Sequence, residues 1–510
     1  MLKKLLKKSI IALLMIMMVF SLCACSTTEE KENEKENVKE NVEEEDALTE
    51  IVYAFLTTNN MPTDAGLKAV EEALTEQTKQ FGVKMKLMPL SQEEYNTKIN
   101  LALSGGVQMD IIQTFHFDSM VSKGAALDIT DLSKEYMAET VEMMGEKVLQ
   151  STTFDGKLYG ITAYKGYALI PTLYYRADIW AETGKDINDV YDGTFASLSA
   201  VWDEVKALHP DMIPFCGQFD DDKLIRDFYD EYGYSNLLGG NGIAFDENEG
   251  KFICIYTTDA FAERCKLLKE WNEAGYFIGD PTSHTMDFLT TMTAGNAFSY
   301  ISAQAGNYGA NEASQTCGYE LEALPLCGTV FTTNSIGAMG SFINASTENP
   351  EKACQVLNLL MTDEKFINTI IWGIEGEDYV KTSDVNVTYP DGLDAFSVPY
   401  TNSYASGYVG NQFIQYTFEG TPVDNSDVML QQNEETPLSG IYGFIPDYTD
   451  YSTEIASISN AVEHYRNTLT TGSAQDVDQV LKDFTDALQA AGMDKVLEGV
   501  QAQLQSWQNE

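Results

Sequence analysis

The run Ile51-Val52-Tyr53-Ala54-Phe55-Leu56 is a short apolar stretch of strand type, and the alternation of elements downstream of it decides the fold class. Residues 57–61 are polar and read as a loop, after which Leu67, Val70 and Leu74 recur at helical spacing. Residues 83–90 alternate as a second strand. Ser91-Gln92-Glu93-Glu94 is a capping box, in which serine and glutamate each satisfy a backbone donor the helix leaves open. It opens a helix with Tyr95, Ile99, Ala102 and Leu103 on one face. Ser104-Gly105-Gly106 ends that helix, and Met109-Asp110-Ile111-Ile112 begins a third strand. Strand, helix, strand, helix, strand predicts a parallel sheet with helices on its faces. Ligands of open sheets collect at the carboxyl ends of strands, which points to the loops 57–60 and 114–117.

Upstream, Lys3, Lys4, Lys7 and Lys8 precede a nearly unbroken apolar run over residues 9–22, closed by Leu22-Cys23-Ala24-Cys25. A basic end and a short apolar core make a secretory signal, too short to span a bilayer permanently. Leucine three places before a cysteine, with alanine directly before it, has the pattern of a bacterial lipobox. That resemblance implies a signal peptide over 1–24 and diacylglycerol on Cys25. Cys23 fits worse, because Leu22 would fill the small-residue position; an ordinary cleaved signal with incidental cysteines is the alternative. Two acyl chains hold durably, at about 0.8 kcal/mol per buried methylene, so the outer face of the cytoplasmic membrane is the expected location. Residues 25–47 carry almost nothing apolar and cannot offset their ordering entropy, so they read as an acidic tether.

A chain of 510 residues can hold two or three domains, and 44% hydrophobic with 11% aromatic residues indicates a globular body. The 32 basic and 78 acidic residues give a formal −46; without the four signal lysines, 28 basic residues remain and the balance is −50. Such a field repels phosphate backbones, so no nucleic-acid partner is expected, and neutral or cationic ligands are favoured. Cys216, Cys254, Cys265, Cys317, Cys327 and Cys354 form no C-x-x-C pair, and His116, His209, His284 and His464 lack metal-ligand spacing. Cys317 and Cys327 could close a disulfide loop or remain thiols. G-x-S-x-G, H-E-x-x-H and P-loop patterns are missing, so neither cofactor nor metal is expected; carboxylates are too many for a glycosidase pair to be recognised.

Residues 154–161, F-D-G-K-L-Y-G-I, read as a turn and a strand, and residues 169–176 as another strand. The succession S-G-G…D-I, D-G-K-L-Y-G-I and L-Y-Y-R-A-D-I-W-A-E-T-G resembles the extracellular solute-binding proteins of ABC importers. More narrowly, it resembles the large lipoprotein group within the family-1, sugar-type binders. N-P-E-K-A from 349, L-L-M-T-D-E from 359 and G-I-E-G-E-D-Y-V from 373 fit that group. So do G-F-I-P-D from 443 and the ending A-A-G-M-D-K-V-L-E-G-V-Q-A-Q-L-Q-S-W-Q. The resemblance implies an α/β, two-lobed periplasmic-binding-protein-like fold of type II, with a hinge and an interlobe cleft. It places 48–160 and 325–380 in lobe I, and 161–324 and 381–510, with the C-terminal helices, in lobe II.

Helical spacing makes Trp202 and Trp271 core residues. Residues 242–256 read as a hairpin whose acidic turn resembles a calcium loop only superficially, since the ligand spacing is incomplete. Asn349, Pro350 and Glu351 suit a helix start. Residues 381–439 are loop-rich, and 451–470 and 474–505 read as two long amphipathic helices.

Strand ends and the resembled fold nominate Asn59, Asn60, Phe115, Tyr164, Gln304, Asn334, Trp372 and Phe444 as ligand contacts. For Trp372, beside Gly373 at a helix end, presentation to a ligand and simple packing both stay open. Sugars present hydroxyls to polar side chains and apolar ring faces to aromatic ones. The expected function is capture of a saccharide, with oligosaccharides the expected class, by a monomeric lipoprotein. It would deliver the ligand to the transmembrane permease subunits of an ABC importer and do no chemistry on it. The alternatives are a surface lipoprotein that presents a solute to a receptor, and a polysaccharide-degrading enzyme.

Overall fold

The computed structural model describes residues 48–57, 59–217, 230–236, 241–278 and 288–509. The signal peptide, Cys25 and the tether expected over 1–47 lie outside them, as does His284. In chain order the strands that position the site begin with β1 (Thr49–Leu56), β2 (Val83–Leu90), β3 (Ile111–Thr114), β4 (Ile161–Thr162), β5 (Ile170–Arg176) and β6 (Ile213–Phe215). They continue with β7 (Tyr234–Asn236), β8 (Ile243–Asp246), β9 (Lys251–Cys254), β10 (Ala297–Gln304), β11 (Leu321–Pro325) and β12 (Gly340–Ile343).

Lobe I is built on a sheet of order β2-β1-β3-β12-β4. β1 and β3 run parallel, pairing Tyr53 with Ile111 and Ala54 with Ile112. The sheet is mixed rather than wholly parallel, because β12 lies antiparallel to β3, with Gly340 opposite Thr114, and to β4. Its entry from the cleft-side helix Thr333–Gly337 obliges it to run against β3. Ser91 caps the helix Gln92–Leu103 as expected, accepting from Glu94 N. Buried Asp110 ties the sheet together: its carboxylate accepts from Val52 N at 2.9 Å, Gln108 Nε2 at 3.0 Å and Thr347 Oγ1 at 2.6 Å.

Lobe II carries a second sheet, β11-β5-β10-β6, in which β5 is antiparallel to both neighbours and β6 parallel to β10. Trp202 and Trp271 are core residues here, edge to face with centroids 4.6 Å apart. Their indoles donate to Ser299 Oγ (3.1 Å) and Ser199 Oγ (2.6 Å), as buried indole N–H groups require. A third core forms where the helices Ser452–Thr470, Val477–Ala490 and Met493–Trp507 cover the β7-β8-β9 sheet. The acidic turn of that hairpin is closed by Asp246 Oδ1, which accepts from Asn248 N and Glu249 N.

Several expectations need correction. The single helix expected over 474–505 is two, broken where Gly492 takes a φ of +92° that other residues rarely adopt. Asn349 makes no side-chain cap; Pro350 at the first position suffices. β4 pairs within the lobe I sheet, so the first crossing lies at 163–169 rather than at 161. Residues 381–418 pack with lobe I, not lobe II, because Val387, Tyr400 and Tyr416 are buried against the helix Glu364–Trp372. Tyr400 donates to Ile370 O at 2.7 Å, and Tyr416 N donates to Asn368 Oδ1 at 2.7 Å. All six body cysteines are thiols, so no disulfide closes the loop between Cys317 and Cys327.

Replacing Asp110 by alanine strands the Val52 N–H and the Thr347 hydroxyl. A loss of about 3 kcal/mol, read by urea denaturation, is the expected result; a change below about 0.5 kcal/mol contradicts the role assigned to it.

Candidate functional site

Three stretches that cross or border both lobes meet at one end of the lobe I sheet, where β3 finishes and β12 begins. The first is the crossing 163–169. The second is the turn after β10, residues 305–307. The third is 400–433, most of it irregular, which runs along the other two. Tyr164 N donates to Gly410 O (2.9 Å) and Gln412 N to Tyr164 O (2.8 Å). Asn433 accepts from Tyr167 N (2.8 Å) and donates to Lys165 O (2.7 Å). On the lobe II side, Gly306 N donates to Gln432 Oε1 (2.7 Å) and Asn307 N to Asn425 Oδ1 (2.9 Å). A side chain at Gly166 would collide with Ala305 and Met429, so the three stretches touch.

This seam explains the fate of several nominated residues. Asn59 is buried and consumed internally: its amide donates to Ser403 Oγ (3.3 Å) and accepts from Tyr404 N (3.1 Å). Asn60, exposed, donates to Phe396 O at 2.9 Å. Tyr164 is half-buried, edge-on to Phe413 with centroids 5.0 Å apart. Gln304 ends β10 beside Tyr174 and Glu312, where Gly309 leaves no room for a side chain.

Trp372 does not belong to the site. It is 3% exposed, its indole donates to Tyr416 O at 3.0 Å, and it lies in the lobe I core near Tyr389 and Phe418. The packing alternative holds because the helix turns this face inward, onto residues 381–418. Trp372→Ala is therefore expected to lower stability by about 3–5 kcal/mol, measured by thermal or urea unfolding. A variant of wild-type stability would return Trp372 to the cleft.

Phe115, Asn334 and Phe444 are brought together. They share an interlobe crevice with Phe117, Phe154 and Tyr448, and Asp118, Ser151 and Thr333 supply its polar atoms. Phe115 is half-buried and held edge-on by Tyr95, with centroids 6.0 Å apart. Asn334 is exposed, and its side chain makes no hydrogen bond among the described residues. Phe444 is 3% exposed, so its ring builds the wall and offers little surface itself. A wider depression, about 480 Å³, lies beside Asn344 at the opposite end of the sheet; it has no aromatic wall and is remote from the strand ends described.

Sequence reasoning missed Tyr404, Tyr408 and Glu312. The two tyrosines are 51% and 36% exposed, unusual for such large rings, and lie on the seam beside Asn59 and Gln113. Gln113 Nε2 donates to Tyr408 O at 3.2 Å, and the Lys165 ammonium sits 5.5 Å from the Tyr408 ring centre. Two tyrosines four apart in the polar run T-N-S-Y-A-S-G-Y were the available signal. Glu312 is open to water yet crowded by protein, as a carboxylate in a recess is. The crowding raises its pKa above 4.5, partly offset by hydrogen bonding to Gln304. Its charge is also felt by Tyr404, whose pKa is raised first by burial, then by Tyr389, Asp394 and Glu312.

With a folded pKa above 4.5, the native state binds this proton more tightly than the unfolded chain. Stability from this group is therefore greatest below that value and declines as the pH rises through the folded pKa. Glu312→Gln is expected to raise the unfolding midpoint at about pH 7 and to leave it unchanged near pH 4. An equal or lower midpoint at pH 7 would contradict the desolvation.

A family model of bacterial extracellular solute-binding proteins matches residues 72–373, and a domain family of unknown function matches residues 440–509. A carbohydrate ABC transporter substrate-binding protein of Streptococcus pneumoniae serotype 4 is 24% identical over 441 residues, covering 83% of this chain and 84% of its own. Among solved structures, the N-glycan transport solute-binding protein of Streptococcus pneumoniae superposes with a TM-score of 0.75 at 22% identity, over 90% of this chain and 98% of that one. Its complex with Man5GlcNAc gives 0.66 at 21% identity, over the same shares.

Proposed function

From membership in the bacterial extracellular solute-binding proteins, the family to which this chain belongs, we propose that it captures a neutral saccharide between its lobes for an ABC importer. The observation that carries the reading is the crevice in which phenyl rings from Phe115, Phe117 and Phe154 meet the free amide of Asn334 between the lobes. Apolar walls with a few convergent polar groups suit a sugar ring, whose faces are apolar and whose edge carries hydroxyls. Glu312 and the −50 balance of the mature chain disfavour acidic sugars. The transport names of the relatives, and the Man5GlcNAc held by one of them, make oligosaccharides the first class to test.

In this reading Asn60, Tyr164, Gln304, Asn334, Phe115, Tyr404 and Tyr408 line the ligand's path, while Asn59 and Phe444 support it. A ligand that touches both lobes favours their closed arrangement only by binding it more tightly than the open one. The permease subunits then receive the closed form. The reading includes no catalytic step. Cys25 with its lipid would keep a monomer at the outer face of the membrane, and residues 25–47 would give it reach.

The test is calorimetry and thermal shift on the full-length protein with Man5GlcNAc, maltotetraose, galacturonate oligomers and a peptide mixture. A bound neutral oligosaccharide at 100 times its Kd should add about 2.7 kcal/mol of stability by mass action. Phe115→Ala should then weaken binding about threefold to tenfold without lowering the ligand-free midpoint much. Binding of uronates or peptides alone would overturn the saccharide reading.

A further inference from the structure

The crevice around Phe115 and Asn334 offers about 70 Å³, far less than the few hundred Å³ that enclose a whole drug-sized ligand. It has room for part of one sugar ring, so the rest of an oligosaccharide must lie outside it. What adjoins it follows from the order of strand ends. Phe115 follows β3, and β1 runs parallel beside β3, about 4.8 Å away. Their carboxyl ends therefore share one edge, the edge where open sheets meet ligands. A strap, residues 394–408, lies against that edge. Asn59 Oδ1, just past β1, accepts from Tyr404 N at 3.1 Å, and Asn60 Nδ2 donates to Phe396 O at 2.9 Å. Near the end of β3, Gln113 Nε2 donates to Tyr408 O at 3.2 Å. Thr63 N donates to Pro399 O at 2.9 Å, and a side chain at Gly66 would collide with that same carbonyl.

The amides of Asn59, Asn60 and Gln113 each fix the backbone of a residue that carries an exposed ring. Phe396 is 63% exposed, and with Tyr404 and Tyr408 it makes three of the five exposed aromatic side chains among the described residues. Exposed rings scattered singly need no explanation, whereas rings gathered on one segment mark a contact surface. The loop under Phe396 is closed on itself, since Asp394 Oδ1 accepts from Phe396 N at 3.0 Å and from Ser397 Oγ at 2.6 Å. Beside Tyr404, Ser403 Oγ shares a hydrogen bond with the Tyr389 hydroxyl at 2.9 Å. Rings on so fixed a backbone lose little freedom when a ligand arrives. Because the strap begins at the strand that ends in the crevice and continues along the next, its natural occupant is whatever leaves the crevice.

Resting on the saccharide reading, we propose that the strap 394–408 is an outer subsite, where Phe396 and Tyr404 stack on sugar residues of a neutral oligosaccharide that extend beyond the crevice. Stacking uses the apolar face of the sugar ring and needs no charge. The crevice then decides which sugar is gripped, and the strap decides how much affinity a longer chain gains. Asn59 and Asn60 serve this subsite by holding the two rings in place.

Calorimetry on the full-length protein with Man1GlcNAc and Man5GlcNAc, and with maltose and maltohexaose, tests this. The wild type should bind the longer member of whichever pair it accepts about tenfold more tightly or better. Phe396→Ala should weaken the longer ligand about threefold to tenfold and leave the shorter within about twofold. Its ligand-free unfolding midpoint should not move, because an exposed ring supports no core. Phe396→Trp, which keeps an aromatic face, should bind the longer ligand at least as tightly as the wild type. Equal loss for both lengths in Phe396→Ala, or no loss for either, overturns the inference and leaves the saccharide reading intact. Wild-type protein that holds both lengths equally well does the same. Wild-type protein that binds none of the four sinks the functional reading and this inference together.

Discussion

The arrangement of the site depends on hydrogen bonds made by one stretch, through its backbone at residues 410–412 and through side-chain amides on the helix Asn425–Glu435. Residues 400–433 bond to the crossing 163–169 through Gly410, Gln412 and Asn433, and to the turn after β10 through Asn425 and Gln432. Buried peptide groups demand partners, so chain segments meeting between two lobes must satisfy one another or exclude one another. Here they satisfy one another. Lobe I therefore reaches lobe II through specific amide pairs, and the rings of Tyr404 and Tyr408 stay exposed beside them.

Two separate cores make that seam usable. The lobe I core centres on Tyr53, Phe55, Phe366 and Trp372, and the lobe II core on Trp202, Trp271, Phe215 and Phe298. Each is dense in packed aromatic rings, so each can behave as a rigid half. A third core joins the C-terminal helices to the β7-β8-β9 sheet and brings Phe444 and Tyr448 to the crevice. Phenyl rings of lobe I and of the C-terminal region thus line one crevice.

Much of the fold was legible in local pattern. β1, β2 and the helix Gln92–Leu103 were readable because each has its own period and its own end signals, and none needs a distant partner to be recognised. The buried roles of Trp202 and Trp271 came from helical spacing alone. Of the nominated residues, Phe115 at a strand end and Asn334 at a helix start lie in one crevice. The antiparallel course of β12 was not legible, since direction is set by where a chain enters a sheet and not by its own alternation.

What the sequence by itself determined is the set of local elements, the acidic surface and the resemblance to a binding-protein family, because periodicity, charge and motif are all properties of neighbouring residues. What only the tertiary structure decided is which polar and aromatic groups remain unspent. Asn59 and Trp372 looked available and are consumed by Ser403, Tyr404 and Tyr416. Tyr404 and Tyr408 were not nominated and keep their rings exposed on the seam. The physical reason is that a hydrogen bond or a buried face is shared between residues hundreds of positions apart, and only folding reveals which partner took it.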